Sequence, residues 1–271
     1  MTAIGGAAVM LWAPQFAMAS SAHAAGCPDA EVVFARGTTE APGAGPVGDA
    51  FVDSLRTQVG QKSVNVYGVD YPATTDFPTA VQGISDARTH VLATAANCPQ
   101  TSIVLGGFSQ GAAVMGFVTD SAVPDGVSPD DVPAPMPPDI ADHVAAVALF
   151  GKPSLRFMHV INDPPVTVGP LYQAKTDDLC ADNDLVCDPH GHSFSAHNTY
   201  VDSGLTDQAA TFVAARLQTA WAAQAAEQSL SPTTPGAPPP PAPVVTPVPH
   251  LPAAQLTPPG PSAQQLPDPA A

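Results

Sequence analysis

Positive charge is what this chain lacks most: eight Lys and Arg stand against 24 Asp and Glu, a net charge of −16 over 271 residues. No basic cluster exists to neutralise phosphates, so nucleic acid is excluded as a partner. An acidic surface is also repelled by anionic headgroups, so any lipid contact must rest on apolar loops. Long apolar runs are missing too. No segment reaches the ~18 uninterrupted apolar residues of a membrane helix, and Pro14 breaks the richest stretch. Cysteine is sparse, and neither C-x-x-C nor zinc-finger spacing occurs, which excludes a thioredoxin-like or zinc-ribbon reading.

What is present divides the chain into three. Residues 1–25 read as a secretory signal peptide: Ala3 to Ala19 is mostly apolar and Ala22-His23-Ala24 resembles a small-x-small cleavage site. The basic start of such a peptide is absent, since no Lys or Arg precedes Arg36, which is accounted for if translation begins upstream of Met1. Residues 229–271 form a tail that cannot bury a core, with 15 of the 33 prolines after Leu230 and no Lys or Arg; it reads as disordered and polyproline-like, either a spacer or a segment that contacts the cell envelope. Residues 26–228 remain for one domain, ample for a single large core. In an exported chain the even set Cys27, Cys98, Cys180 and Cys187 reads as two disulfides, with four reduced core thiols as the alternative. Pairing Cys27 with Cys98 and Cys180 with Cys187 would close one long and one short loop, worth about 4 and 2.5 kcal/mol.

Five short apolar or β-branched runs read as strands: Val32–Ala35, Ser63–Val69, Ser102–Leu105, Val144–Phe150 and Ala174–Leu179. Helical spacing separates most of them, at Val47–Val59, Val81–Ala95, Ala112–Val118 and Thr206–Ala223. Alternation of this kind predicts an α/β fold with a doubly wound parallel sheet. Asp120–Asp142, rich in proline and aspartate, reads as a long surface loop, a lid or an insertion.

Between the third strand and its helix lies Gly107-Phe108-Ser109-Gln110-Gly111, the strand-to-helix turn with which α/β-hydrolases hold a serine clear of its backbone. A serine hydroxyl is a weak nucleophile at neutral pH and needs an imidazole base oriented by a carboxylate. The order Ser, Asp, His is met downstream. Asp182 and Asp184 lie between Cys180 and Cys187, and His197 follows ten residues later; Asp184 is the preferred carboxylate, with Asp182 and Asp188 as rivals. A metal cluster of His190, His192, His197 and Asp188 is the alternative reading, and the serine turn makes it unnecessary. Arg36 reads as an ion-pair scaffold for its loop, His143 and His159 as structural, and Trp221 as core packing.

At this point the chain resembles the cutinase family, specifically actinobacterial cutinase-like esterases. Four features carry the likeness: Arg36-Gly37-Thr38 after the first strand, the Gly-Phe-Ser-Gln-Gly turn, the placement of Cys27 and Cys98 before these motifs, and the spacing of Asp184 and His197 around Cys187. The resemblance implies Ser109 as nucleophile, His197 as base and then acid, Asp184 as its orienting carboxylate, and an oxyanion hole of Thr38 and Gln110. Fungal members carry serine where Thr38 stands, so a different acyl preference is expected. The segment Asp188–Ala196 is more polar than theirs, which argues against strong binding to waxy interfaces.

The expectation is a secreted monomeric serine esterase for short to medium acyl chains, working through an acyl-enzyme on an ester or lipid substrate without cofactor or metal. An acetylxylan esterase, phospholipase or thioesterase could use the same triad. A non-catalytic lipid-binding protein of the cell envelope is the reading from another class, and an intact Ser, Asp and His set argues against it.

Overall fold

The computed structural model describes residues 26–230; the signal-peptide reading and the proline-rich tail lie outside the described residues. Every strand expected from the sequence forms. β1 (Ala30–Ala35), β2 (Val64–Gly68), β3 (Ser102–Phe108), β4 (Val144–Phe150) and β5 (Thr176–Leu179) make one parallel sheet in the order β2-β1-β3-β4-β5. That is a doubly wound order, whose ligand sites collect beyond the carboxyl ends of the strands.

β1 shows why both faces are covered. Val32 and Phe34 point into one apolar cluster, Val33 and Ala35 into the other, and all are buried, as a strand of period two requires when helices lie on each side. The first cluster is closed by α1 (Gly45–Val59) and α7 (Leu205–Leu230). Its centre is a group of aromatic rings, Phe34, Phe51 and Phe150, with centroids 5.6–6.3 Å apart. The second is closed by α2 (Val81–Asn97), α3 (Gln110–Thr119) and the short α4 (Ile140–His143). Two further short helices, α5 (Leu155–Ile161) and α6 (Pro170–Gln173), precede β5.

α7 runs to Leu230, a turn or two past the expected end, because its last residues are mostly Ala, Gln and Glu, which favour helix without needing a core. Trp221 is half-buried and its indole N–H donates to the Asp29 carbonyl at 3.2 Å, tying α7 to the start of β1. Disulfides join Cys27 to Cys98 and Cys180 to Cys187, the pairing considered from the sequence. Among the described residues no helix is long and apolar enough to cross a membrane.

Candidate active site

Ser109 sits where β3 hands over to α3, with φ 55° and ψ −116°, a conformation that non-glycine residues rarely adopt and that costs of order 1–3 kcal/mol. The flanking glycines make the turn possible. A Cβ at Gly107 would overlap the Gly111 carbonyl, and one at Gly111 would overlap the Ala35 carbonyl on β1. The backbone is held from the next strand by a bond from Ser109 N–H to the Phe150 carbonyl, 2.8 Å.

Asp184 comes from the loop that the Cys180–Cys187 bridge closes just beyond β5, and it has no exposed surface. Asp182 is exposed and Asp188 half-exposed, so of the three aspartates only Asp184 turns inward. Its loop is locked to the His197 loop by a parallel bridge between Asp184 and Ser193 and by Arg156 of α5, whose guanidinium donates to the Gly191 carbonyl at 2.7 Å. His197 lies on a single 3-10 turn, buried and stacked on Phe108 with centroids 4.9 Å apart.

The three side chains line up. His197 Nδ1 is 2.7 Å from Asp184 Oδ2, and His197 Nε2 is 2.7 Å from Ser109 Oγ. Burial alone would raise the Asp184 pKa, but hydrogen bonds from His197, Tyr200 and the Val186 N–H outweigh it and hold the carboxyl below its ordinary range. An ionised Asp184 can only accept, so Nδ1 carries the imidazole proton and Nε2 is left to accept from the serine hydroxyl.

The loop after β1 faces this line. Thr38 Oγ1 lies 3.3 Å from Gln110 Oε1, and the Gln110 amide donates to the Thr74 carbonyl at 3.1 Å. Gln110 is the first residue of α3, so its backbone N–H has no partner within the helix and points outward. Arg36 anchors the loop, and it does so through carbonyls: Nε donates to Glu40 O at 2.8 Å, while the two terminal nitrogens donate to Val69 O and Tyr71 O at 3.2 and 2.5 Å. Glu40 instead accepts from the Gly37 N–H at 2.7 Å.

A cavity of about 660 Å3 opens over Ser109 and His197, within the range of small-molecule sites. Its walls are mostly apolar. Phe77, Ile84 and Phe117 meet Val127 and Val132 from the segment between α3 and α4, and Phe157 and Ile161 of α5 complete it with Phe194. The Asp120–Asp142 segment is therefore not only a surface loop: its few apolar residues turn inward as a strap over the cavity, and its last residues form α4. The segment before His197 is likewise less polar at its tip than its composition suggests, since Phe194 is 61% exposed at the cavity rim. The alternative metal cluster does not assemble. Among the described residues the only three potential ligands that converge are Cys180, Asp184 and Cys187, and both sulfurs are committed to a disulfide.

A Ser–His–Asp line with its His and Asp buried, at the carboxyl ends of a doubly wound sheet, defines a serine hydrolase of the α/β-hydrolase class. A sequence profile of the cutinase family matches residues 26–217. The chain belongs to that family. Probable carboxylesterase Culp5 of Mycobacterium tuberculosis is 64% identical over 167 residues, covering 62% of this chain and 95% of that protein. Phospholipase Culp4 of the same organism is 47% identical over 211 residues, covering 78% and 87%. Among solved structures, a Trichoderma reesei cutinase in complex with a phosphonate inhibitor superposes with a TM-score of 0.54 at 31% identity, over 70% of this chain and 77% of that one.

Proposed function

We propose that this protein is a serine esterase that hydrolyses carboxylic esters of short to medium acyl chain through an acyl-enzyme. The unbroken 2.7 Å relay from Ser109 through His197 to Asp184 carries the reading. Ser109 Oγ attacks the ester carbonyl while His197 Nε2 takes its proton, and Asp184 keeps the imidazole in the accepting tautomer and stabilises the imidazolium. The carbonyl oxygen, now negative, is received by the Gln110 backbone N–H and by Thr38; each such donor is worth about 3 kcal/mol. His197 returns its proton to the departing alcohol, and water repeats the sequence on the acyl-enzyme.

The apolar walls favour lipid-like esters over acetylated polysaccharide, because the leaving alcohol departs beside His197, where Phe194 and α5 supply apolar surface. The two disulfides support an oxidising compartment for the folded chain. Export of a monomeric 26–228 domain, cleaved near Ala24 or Ala25 and followed by an envelope-contacting tail, extends the proposal. A mature chain recovered outside the cell with an intact residue 1–25 segment would contradict it.

Ser109→Ala should lower turnover by about four to six orders of magnitude with the fold intact, and a serine-directed phosphonate should label Ser109 once per chain. A variant that keeps a tenth of wild-type rate ends the esterase reading. A chain-length series of chromogenic esters, run beside polymeric cutin, phospholipid vesicles and acetylated xylan, then fixes the substrate class.

A further inference from the structure

Asp184 carries more hydrogen bonds than a simple relay needs. Oδ1 accepts from the Val186 N–H at 2.8 Å, and Oδ2 accepts from both His197 Nδ1 and the Tyr200 hydroxyl, each at 2.7 Å. The direction of the Tyr200 bond is fixed by its other partner. The Ala181 N–H points at the phenol oxygen from 3.2 Å, and because an N–H can only donate, the phenol proton goes to Asp184. Cys187 Sγ lies 3.1 Å from Oδ2 and 3.2 Å from the phenol oxygen, but within a disulfide it has no proton to give.

The surroundings leave room for this phenol and for little else. Tyr200 is fully buried, with its ring edge-on to Phe108, Phe150 and His197 at 5.4, 6.3 and 6.1 Å. Gly151, just past β4, has φ 62°, and a Cβ there would stand 2.9 Å from both the Tyr200 hydroxyl and His197 Cε1. Burial, then the Asp184 carboxylate, push the phenol pKa up against the Ala181 N–H, so it stays a donor at every working pH.

We propose that Tyr200 is a positioning residue of the triad: by sharing the Asp184 oxygen that holds His197, its phenol sets the aim of that carboxylate and the strength of its pull on the imidazole. The proposal rests on the serine-esterase reading. An oxygen that accepts two donors divides its charge between them. Without the phenol the whole of it falls on His197, which favours the imidazolium and keeps the base occupied to higher pH. The other charges facing the group are Asp178, ion-paired with Lys152 at 3.2 Å and acting on Tyr200, and Glu40, acting on His197. Neither is altered by a change at Tyr200.

Tyr200→Phe in the full chain keeps the ring and removes only the hydroxyl. We expect kcat to fall about tenfold to a hundredfold with KM within about twofold, and the acid limb of the kcat/KM profile, which reports His197 protonation, to move up by about half a pH unit. Site-specific 3-fluorotyrosine at position 200 keeps the hydroxyl as a stronger donor and should move the limb the opposite way. Circular dichroism and Tm confirm folding of each variant; if Tyr200→Phe does not fold, the fluorotyrosine protein decides alone. A folded Tyr200→Phe enzyme with wild-type kcat and an unmoved limb overturns the proposal. So does a loss of kcat with the limb unmoved in both proteins, the outcome of a packing role. Failure of the esterase reading is separate, since it shows in Ser109→Ala.

Discussion

Glu40 is a carboxylate set into the loop that, on our proposal, receives the oxyanion, and the protein tolerates it because its oxygen holds the Gly37 N–H. Burial raises its pKa, against the Gly37 hydrogen bond and the Arg36 charge. A raised value means that the folded state binds the proton more tightly than the unfolded chain does. That contribution to stability is complete below the unfolded value and is lost as pH rises through the folded one. Glu40→Gln keeps an oxygen for Gly37 and removes the charge, so at about pH 7.5 the variant should melt above wild type, with the gap closing below about pH 4. Thermal melts across that range that never separate would show Glu40 to be fully solvated. At this scale the sequence announced the three side chains that line up and not those that hold them in line. Ser109, Asp184 and His197 stood in recognisable spacing, whereas Tyr200 and Arg156 reach the site only through tertiary contacts. The only available signal for Tyr200 was its place one helical turn after His197. Arg36 was read as an ion-pair partner because sequence shows charges and hides carbonyls.

Among the elements, the two loops that follow β5 behave as one unit, with the Cys180–Cys187 bridge fastening Asp184 and the Asp184–Ser193 bridge fastening the approach to His197. Cys180→Ser with Cys187→Ser removes the fastening while leaving both apolar clusters untouched. We expect a cooperative melt and a turnover lower by about a hundredfold or more, since a misplaced carboxylate costs that much. Near-full activity in the double variant would show that hydrogen bonds alone hold the loop. The long helices and β1 to β4 were legible because each carries several apolar residues in pattern, whereas β5, with Leu179 as its one apolar residue, shows little of it. α5 was not, since Leu155–Ile161 is too short for a period to show. Its ends were nevertheless written: the Ser154 hydroxyl accepts from the Phe157 N–H at 3.3 Å, and Asn162 closes the helix with φ 59°.

Over the whole molecule, stability and chemistry are fastened at different places. Cys27 and Cys98 join the residues just before β1 and just after α2, across 71 positions and away from the cavity. Replacing both by serine should lower Tm by roughly 10 °C through lost loop-closure entropy, with turnover near wild type at ambient temperature. A matching loss of turnover at ambient temperature would mean that this bridge also shapes the site. The strap between α3 and α4 belongs to neither fastening. It supplies wall to the cavity and no atom to the relay, and it leaves and rejoins the fold at the ends of two helices. It is therefore a replaceable part: selection or a protein engineer can rewrite which esters are admitted, by length or sequence of this one segment, while the machinery that cuts them is inherited unchanged.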